Sequence, residues 1–189
     1  MSDTALLLID PQRDFLETTG RLPVGGADAD RVIATSLLVL NHALNAGWKL
    51  IFIKNEFAKN DWLGNFLRKN SAIAGSPGAE IDPRIPVPAQ ARIFTKAKSD
   101  AFSNPALEGS LRADPDPVRR LVLVGVMTDA CVCATARSGV RRGFEVIVLE
   151  DAVASTGDAM HRLGLTRMRR AGAQIKASGE LFGADSTRS

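Results

Sequence analysis

Hydrophobic positions along this chain fall into two alternating patterns. Short runs are apolar at consecutive residues, and longer stretches between them carry apolar residues at helical spacing. Ala5 to Ile9, Lys49 to Lys54, Arg92 to Thr95, Leu121 to Val124, Phe144 to Leu149 and Gln174 to Lys176 make up the first pattern. A strand apolar on successive residues is covered on both faces, which is the mark of a parallel sheet between helical layers. The spacing predicts helices over about 28–46, 61–69, 105–112, 129–142 and 157–171. Gly47 and Gly143 stand where two of these helices must stop, and Asp61 stands where one begins. Ser71 to Gln90, rich in Gly, Pro, Ala and Asp, has neither period and reads as a long loop. Such loops in compact domains are more often functional than idle. Strands alternating with helices predict a single doubly wound α/β domain: an about six-stranded, mostly parallel sheet with helices on both faces. The domain is expected over residues 1–178, with a weakly patterned C-terminal tail at 179–189.

The length of 189 residues suits one well-buried domain and is short for two. Apolar residues at 45% and charged residues at 24% are ordinary globular values, so composition excludes a disordered or fibrous chain. No run has the length of a membrane span, and Met-Ser-Asp leads at once into a strand, so a cytoplasmic location is expected. Cys131 and Cys133, two apart on one predicted helix, point to different faces and do not suggest a disulfide framework. The net charge of +3 raises the question of nucleic acid. The basic residues, however, are scattered in pairs without interleaved aromatics, and Tyr is absent, so no nucleic-acid partner is expected.

In doubly wound sheets ligands bind beyond the carboxyl ends of the strands. Asp10 follows the first strand, Lys96 ends the third, and Cys131 follows the next after a short turn. Singly, an Asp before Pro is usually a turn residue, a Lys after a strand is usually solvated, and a small Cys usually packs a helix on a sheet. Together they put a carboxylate, an ammonium and a thiol on one edge. Asp10 can take the thiol proton and return it to a leaving amine. Lys96 and the helix start are expected to lower the pKa of Cys131. Backbone N–H groups of Met127 and Cys131 are the candidate oxyanion donors. Phe15, Trp62, Phe66 and Phe102 are expected to line an apolar cleft, with Glu56 or Asn55 reading a polar substrate end; Asp14 is a possible partner of Lys96. Cys133 is assigned to packing, and His161 to a satisfied surface or interface position.

The chain resembles the isochorismatase-like cysteine hydrolase superfamily from Leu6 to about Ser178. The matching runs are Leu7 to Phe15 through Asp10, Gln12 and Asp14, then Gly75 to Glu80, Lys96 to Phe102, Gly125 to Ala136 around Thr128 and Cys131, and Glu150 to Ala152. The resemblance implies a six-stranded parallel sheet, the catalytic trio Asp10, Lys96 and Cys131, and a cis peptide between Val126 and Met127 that serves the oxyanion hole. It also implies a homo-oligomer, a dimer or larger. Nicotinamidases of the superfamily commonly carry a metal site with an Asp-x-His and a further His. Here the two His, His42 and His161, both fall on predicted helices. No metal or other cofactor is therefore expected. Members that cleave the isochorismate vinyl ether usually lack the nucleophilic Cys, so Cys131 favours C–N cleavage of a small carboxamide, carbamoyl or ureido compound through a thioester. A vinyl ether hydrolase and a non-catalytic relic remain the alternatives. A dinucleotide-binding domain is discouraged, because Asp10-Pro-Gln-Arg-Asp14 stands in place of a glycine-rich turn.

Overall fold

A computed structural model describes residues 2–113 and 115–185. Six strands form one sheet in the order β3-β2-β1-β4-β5-β6, and every pair in it is parallel. The strands are β1 (Thr4–Ile9), β2 (Lys49–Asn55), β3 (Arg92–Lys96), β4 (Arg120–Val126), β5 (Glu145–Ala154) and β6 (Gln174–Lys176). The helices are α1 (Arg13–Leu16), α2 (Gly26–Asn45), α3 (Trp62–Leu67), α4 (Pro105–Arg112), α5 (Cys133–Arg141), α6 (Asp158–Arg170) and α7 (Ser178–Asp185).

The consecutive apolar runs do what their pattern requires. In β1, Leu6 and Leu8 point into one core with α1, α2 and α7, while Ala5, Leu7 and Ile9 point into a second core with α4, α5 and α6. Each Leu or Ile buried there contributes about 1.5–3 kcal/mol, so the alternation of β1 fixes both layers at once. Gly47, with φ of +66°, ends α2 in a left-handed conformation that other residues rarely adopt.

Some boundaries differ from the sequence pattern. β4 continues through Gly125, because that glycine has φ of +115° and lets the strand pass Ile9; a Cβ there would lie 2.1 Å from the Ile9 carbonyl oxygen. β5 runs past Asp151 to Ala154, with the pairing to β4 shifted between Leu123 and Gly125. The expected long loop contains a short helical turn at Pro77–Ala79 and sinks Ala72, Ala79 and Ile85 into the body. The segment expected to be a tail begins with α7, whose Leu181 joins the first core; residues 186–189 lie outside the described residues. α3, capped by the Asp61 carboxylate on the Gly64 N–H, carries Trp62, Leu63, Phe66 and Leu67 outward into solvent.

The strand order reverses direction between β1 and β4, and the crevice at such a switch is where doubly wound sheets bind ligands. Asp10 and the turn that bears Cys131 flank it.

Candidate active site

Three neighbouring strands deliver three polar side chains in a row. Asp10 follows β1, Asn55 ends β2, and Lys96, the register partner of Asn55, ends β3. Lys96 Nζ donates to Asp10 Oδ2 at 2.9 Å, and Asn55 Nδ2 donates to the same oxygen at 2.8 Å. From the other side of the switch, β4 ends at Val126 and enters a wide turn, Thr128–Val132, before α5. That turn brings Cys131 to the row, with Asn55 Nδ2 3.5 Å from Sγ. The peptide between Val126 and Met127 is cis, as the resemblance implies. Asp10, Lys96 and Cys131 therefore meet.

Burial governs the electrostatics. Asp10 is 1% exposed, Lys96 3% and Cys131 9%. Loss of water pushes the Asp10 carboxyl above its usual range, against the opposing pull of Lys96. Lys96 is desolvated as well, yet the charges of Asp10 and Cys131 hold its ammonium above its ordinary value. The Cys131 thiol is pushed up to about 12, chiefly by burial and then by the Asp10 charge, with Lys96 pulling the other way. The expectation of a lowered thiol pKa is thus corrected. Lys96 does favour the thiolate, but desolvation and the neighbouring carboxylate outweigh it. Asp10 Oδ1 is buried without a hydrogen-bond partner among the described residues.

A second set of contacts holds this row in place. Gln12 Nε2 donates to the carbonyls of Asn55 (2.7 Å) and Ala79 (2.8 Å), and its Oε1 accepts from the Asn55 N–H at 2.7 Å. Asp14 does not pair with Lys96. Its carboxylate accepts from the Ala72 and Arg21 N–H groups and lies against Gly78, tying the long loop down over the crevice. Behind the cysteine turn, His161 Nδ1 bonds Thr128 Oγ1 at 2.9 Å, and α6 comes so close that a Cβ on Gly164 would lie 2.6 Å from the Thr128 carbonyl oxygen. Burial lowers the His161 pKa. Cys133 is packed in the second core. Asp151 accepts from the Ser178 N–H and hydroxyl, fastening the start of α7.

A cavity of about 170 Å³ opens onto the thiol, lined among others by Asp10, Asn55, Phe15, Phe57, Met127 and Cys131. Of the residues expected to bind substrate, Phe15 and Asn55 lie on its wall, and Trp62, Phe66, Phe102 and Glu56 do not. Phe102 is in the second core, stacked on Phe144 at 5.9 Å between centroids, because the turn Ala101–Ser103 tucks beneath α5 through Ala101 N–H to Thr135 Oγ1. Trp62 is 76% exposed, since the buried side chain of α3 is Asn65. Phe66 is exposed likewise. Glu56 points to Lys54 at 3.2 Å. Phe57, Arg68 and Ser71 also line the cavity. Asn55, expected as the alternative to Glu56 for reading a polar substrate end, lines the cavity and bonds Asp10, and the strand-end rule that points to Asp10 and Lys96 applies to it equally. Arg68 and Ser71 gave no signal, because only the path of the loop brings them there.

A larger cavity of about 370 Å³ lies at the other end of the sheet, near Trp48, Lys49 and Asp116, away from these groups. Among the described residues, no three His, Cys, Asp or Glu side chains are grouped to hold a metal ion.

The fold and this arrangement define an α/β hydrolase with a thiol at the topological switch. A sequence model of the isochorismatase domain matches residues 4–179, and the chain belongs to the isochorismatase family. It is 31% identical over 151 residues to a secreted isochorismatase effector of Verticillium dahliae, covering 80% of this chain and 72% of that protein. It is 30% identical over 180 residues to a ureidoacrylate amidohydrolase of Stutzerimonas stutzeri, covering 82% and 71%. The crystal structure of a nicotinamidase from Bacillus subtilis superposes with a TM-score of 0.82 at 26% identity, over 92% of this chain and 98% of that one. No helix among the described residues is long and apolar enough to cross a membrane.

Proposed function

We propose that the protein is a metal-independent cysteine amidohydrolase that cleaves a C–N bond of a small carboxamide, carbamoyl or ureido compound. One observation carries this reading: a buried thiol shares a small cavity with a carboxylate that is itself anchored by a buried ammonium. The amidohydrolase named among the relatives supports the bond type.

Asp10 is the general base. Burial raises its proton affinity toward that of the thiol, which is the matching that proton transfer needs. As Sγ attacks the substrate carbonyl carbon, the thiol proton passes to Asp10, and Lys96 balances the negative charge left at the site. The N–H groups of Met127 and Cys131 receive the oxyanion. Collapse of the tetrahedral species breaks the C–N bond, and Asp10 returns its proton to the departing nitrogen. Water, deprotonated by Asp10, then attacks the thioester, and the proton goes back to sulfur as the acid is released.

Cys131→Ala is expected to abolish ammonia release from small amides and ureides while circular dichroism and the melting temperature stay close to those of the parent. Turnover that survives this substitution rejects the covalent mechanism. If the surviving substrate is isochorismate, the vinyl ether reading replaces it.

A further inference from the structure

The cavity wall carries polar groups that the proposed reaction does not use. Arg68 lies with its guanidinium carbon 3.8 Å above the centre of the Phe57 ring. Its Nη2 donates to Asp61 Oδ2 at 2.6 Å and to Asn65 Oδ1 at 3.1 Å, which occupies both protons of that nitrogen. Its Nε is buried and has no acceptor among the described residues. Ser71, 1% exposed, has a buried hydroxyl that is likewise unpartnered. Both residues line the cavity that reaches Cys131.

We propose that Arg68 and Ser71 bind a carboxylate of the substrate, so that the molecule cleaved at Cys131 is a small ureido or carbamoyl carboxylic acid. This deepens the amidohydrolase reading and rests on it for the reacting end alone. Unpaired buried donors are rare because their desolvation goes uncompensated, and two on one cavity wall suit a ligand with two acceptor oxygens. The ligand is an anion because guanidinium keeps its charge. Asp61, its partner, has a half-exposed side chain and is screened by water, whereas the Nε side is dry. The other charged side chain on the cavity wall, Asp10, is already matched by Lys96. Bare backbone makes room for the arrangement: a Cβ on Gly64 would lie 2.7 Å from Arg68 Nη2 and 2.2 Å from Asp61 Oδ2. A volume of about 170 Å³ is well under the roughly 300–1,000 Å³ of pockets for drug-sized ligands, which limits the acid to a short chain.

The test uses 3-ureidopropionate and its methyl ester as probes, with binding to Cys131→Ala protein measured by calorimetry at fixed ionic strength. The acid is expected to bind at least about tenfold tighter than the ester, a difference of about 1.4 kcal/mol. Adding Arg68→Gln should collapse that preference to within about twofold, and Ser71→Ala should weaken the acid by about threefold or more. An ester that binds as well as the acid, an acid that fails to bind at millimolar concentration, or a preference that outlasts Arg68→Gln overturns the assignment. Should Arg68→Gln fail to fold, Ser71→Ala decides, since it removes one buried oxygen, and an unchanged preference there counts against the proposal. Ammonia release by the unmutated protein separates the two readings. Acid preference in binding without turnover of any ureide or amide sinks the hydrolase and leaves the carboxylate site standing.

Discussion

Asp10 acts on Cys131 in two opposed ways. Its negative charge makes the thiolate costly, yet its free oxygen is the natural destination of the thiol proton. With the thiol pushed up to about 12, only on the order of one molecule in ten thousand is thiolate at pH 8. Alkylation of Cys131 by iodoacetamide is therefore expected to climb about tenfold per pH unit and to show no plateau below pH 10. Asp10→Asn removes the charge that raises the thiol pKa, so its alkylation profile should move to lower pH. Turnover should nevertheless fall by about 10²–10⁴, because the proton carrier is gone. Lys96→Met moves the alkylation profile the other way and, by leaving a buried carboxylate unpaired, should destabilise the fold by about 3–5 kcal/mol in urea titrations. An Asp10→Asn profile displaced to higher pH contradicts this account of the thiol.

Two glycines in helix interiors should respond oppositely to the same substitution. In α4, a Cβ at Gly109 meets nothing within 4 Å, so Gly109→Ala keeps only the helix-propensity gain of about 1 kcal/mol and should raise the melting temperature by about 2–4 °C. In α6, the propensity gain at Gly164 is the same, but the new Cβ would press on the backbone of Thr128 and Asp129. Overpacking of that kind costs about 1–3 kcal/mol and wins. Because the atoms pushed belong to the turn that carries Cys131, Gly164→Ala should lower kcat as well as stability. Equal stabilisation of both variants, read by thermal unfolding, rules out α6 as the backing of that turn. His161, bonded to Thr128, belongs to the same support.

At the scale of the molecule, the strand order brings Asp10, Asn55, Lys96 and the turn that bears Cys131 to one point. The proposed thiol mechanism needs no metal ion, so prolonged treatment with EDTA followed by gel filtration should leave turnover unchanged. Activity that is lost to the chelator and restored by added zinc contradicts a metal-independent reaction. α7 also acts at this scale. Its Leu181 enters the core beside α2, and the Asp151 carboxylate holds Ser178, so the last helix closes one face of the sheet.

Periodicity alone specified the parallel sheet, because strands such as Leu121 to Val124, apolar at every position, are stable only between two layers. The strand-end rule points to Asp10, Lys96 and Cys131 from chain order alone, since that order places those residues where doubly wound sheets bind ligands. Two things depended on packing. Burial, which no residue carries by itself, reversed the expected direction of the Cys131 pKa. The walls of the cavity depended on the path of irregular loops, so the apolar side chains of Trp62 and Phe102 went to solvent and into the second core, while Arg68 and Ser71 came to the site. Local pattern encodes what is repeated along an element, whereas the side chains meeting at a cavity are set by long-range contacts between segments that share no pattern.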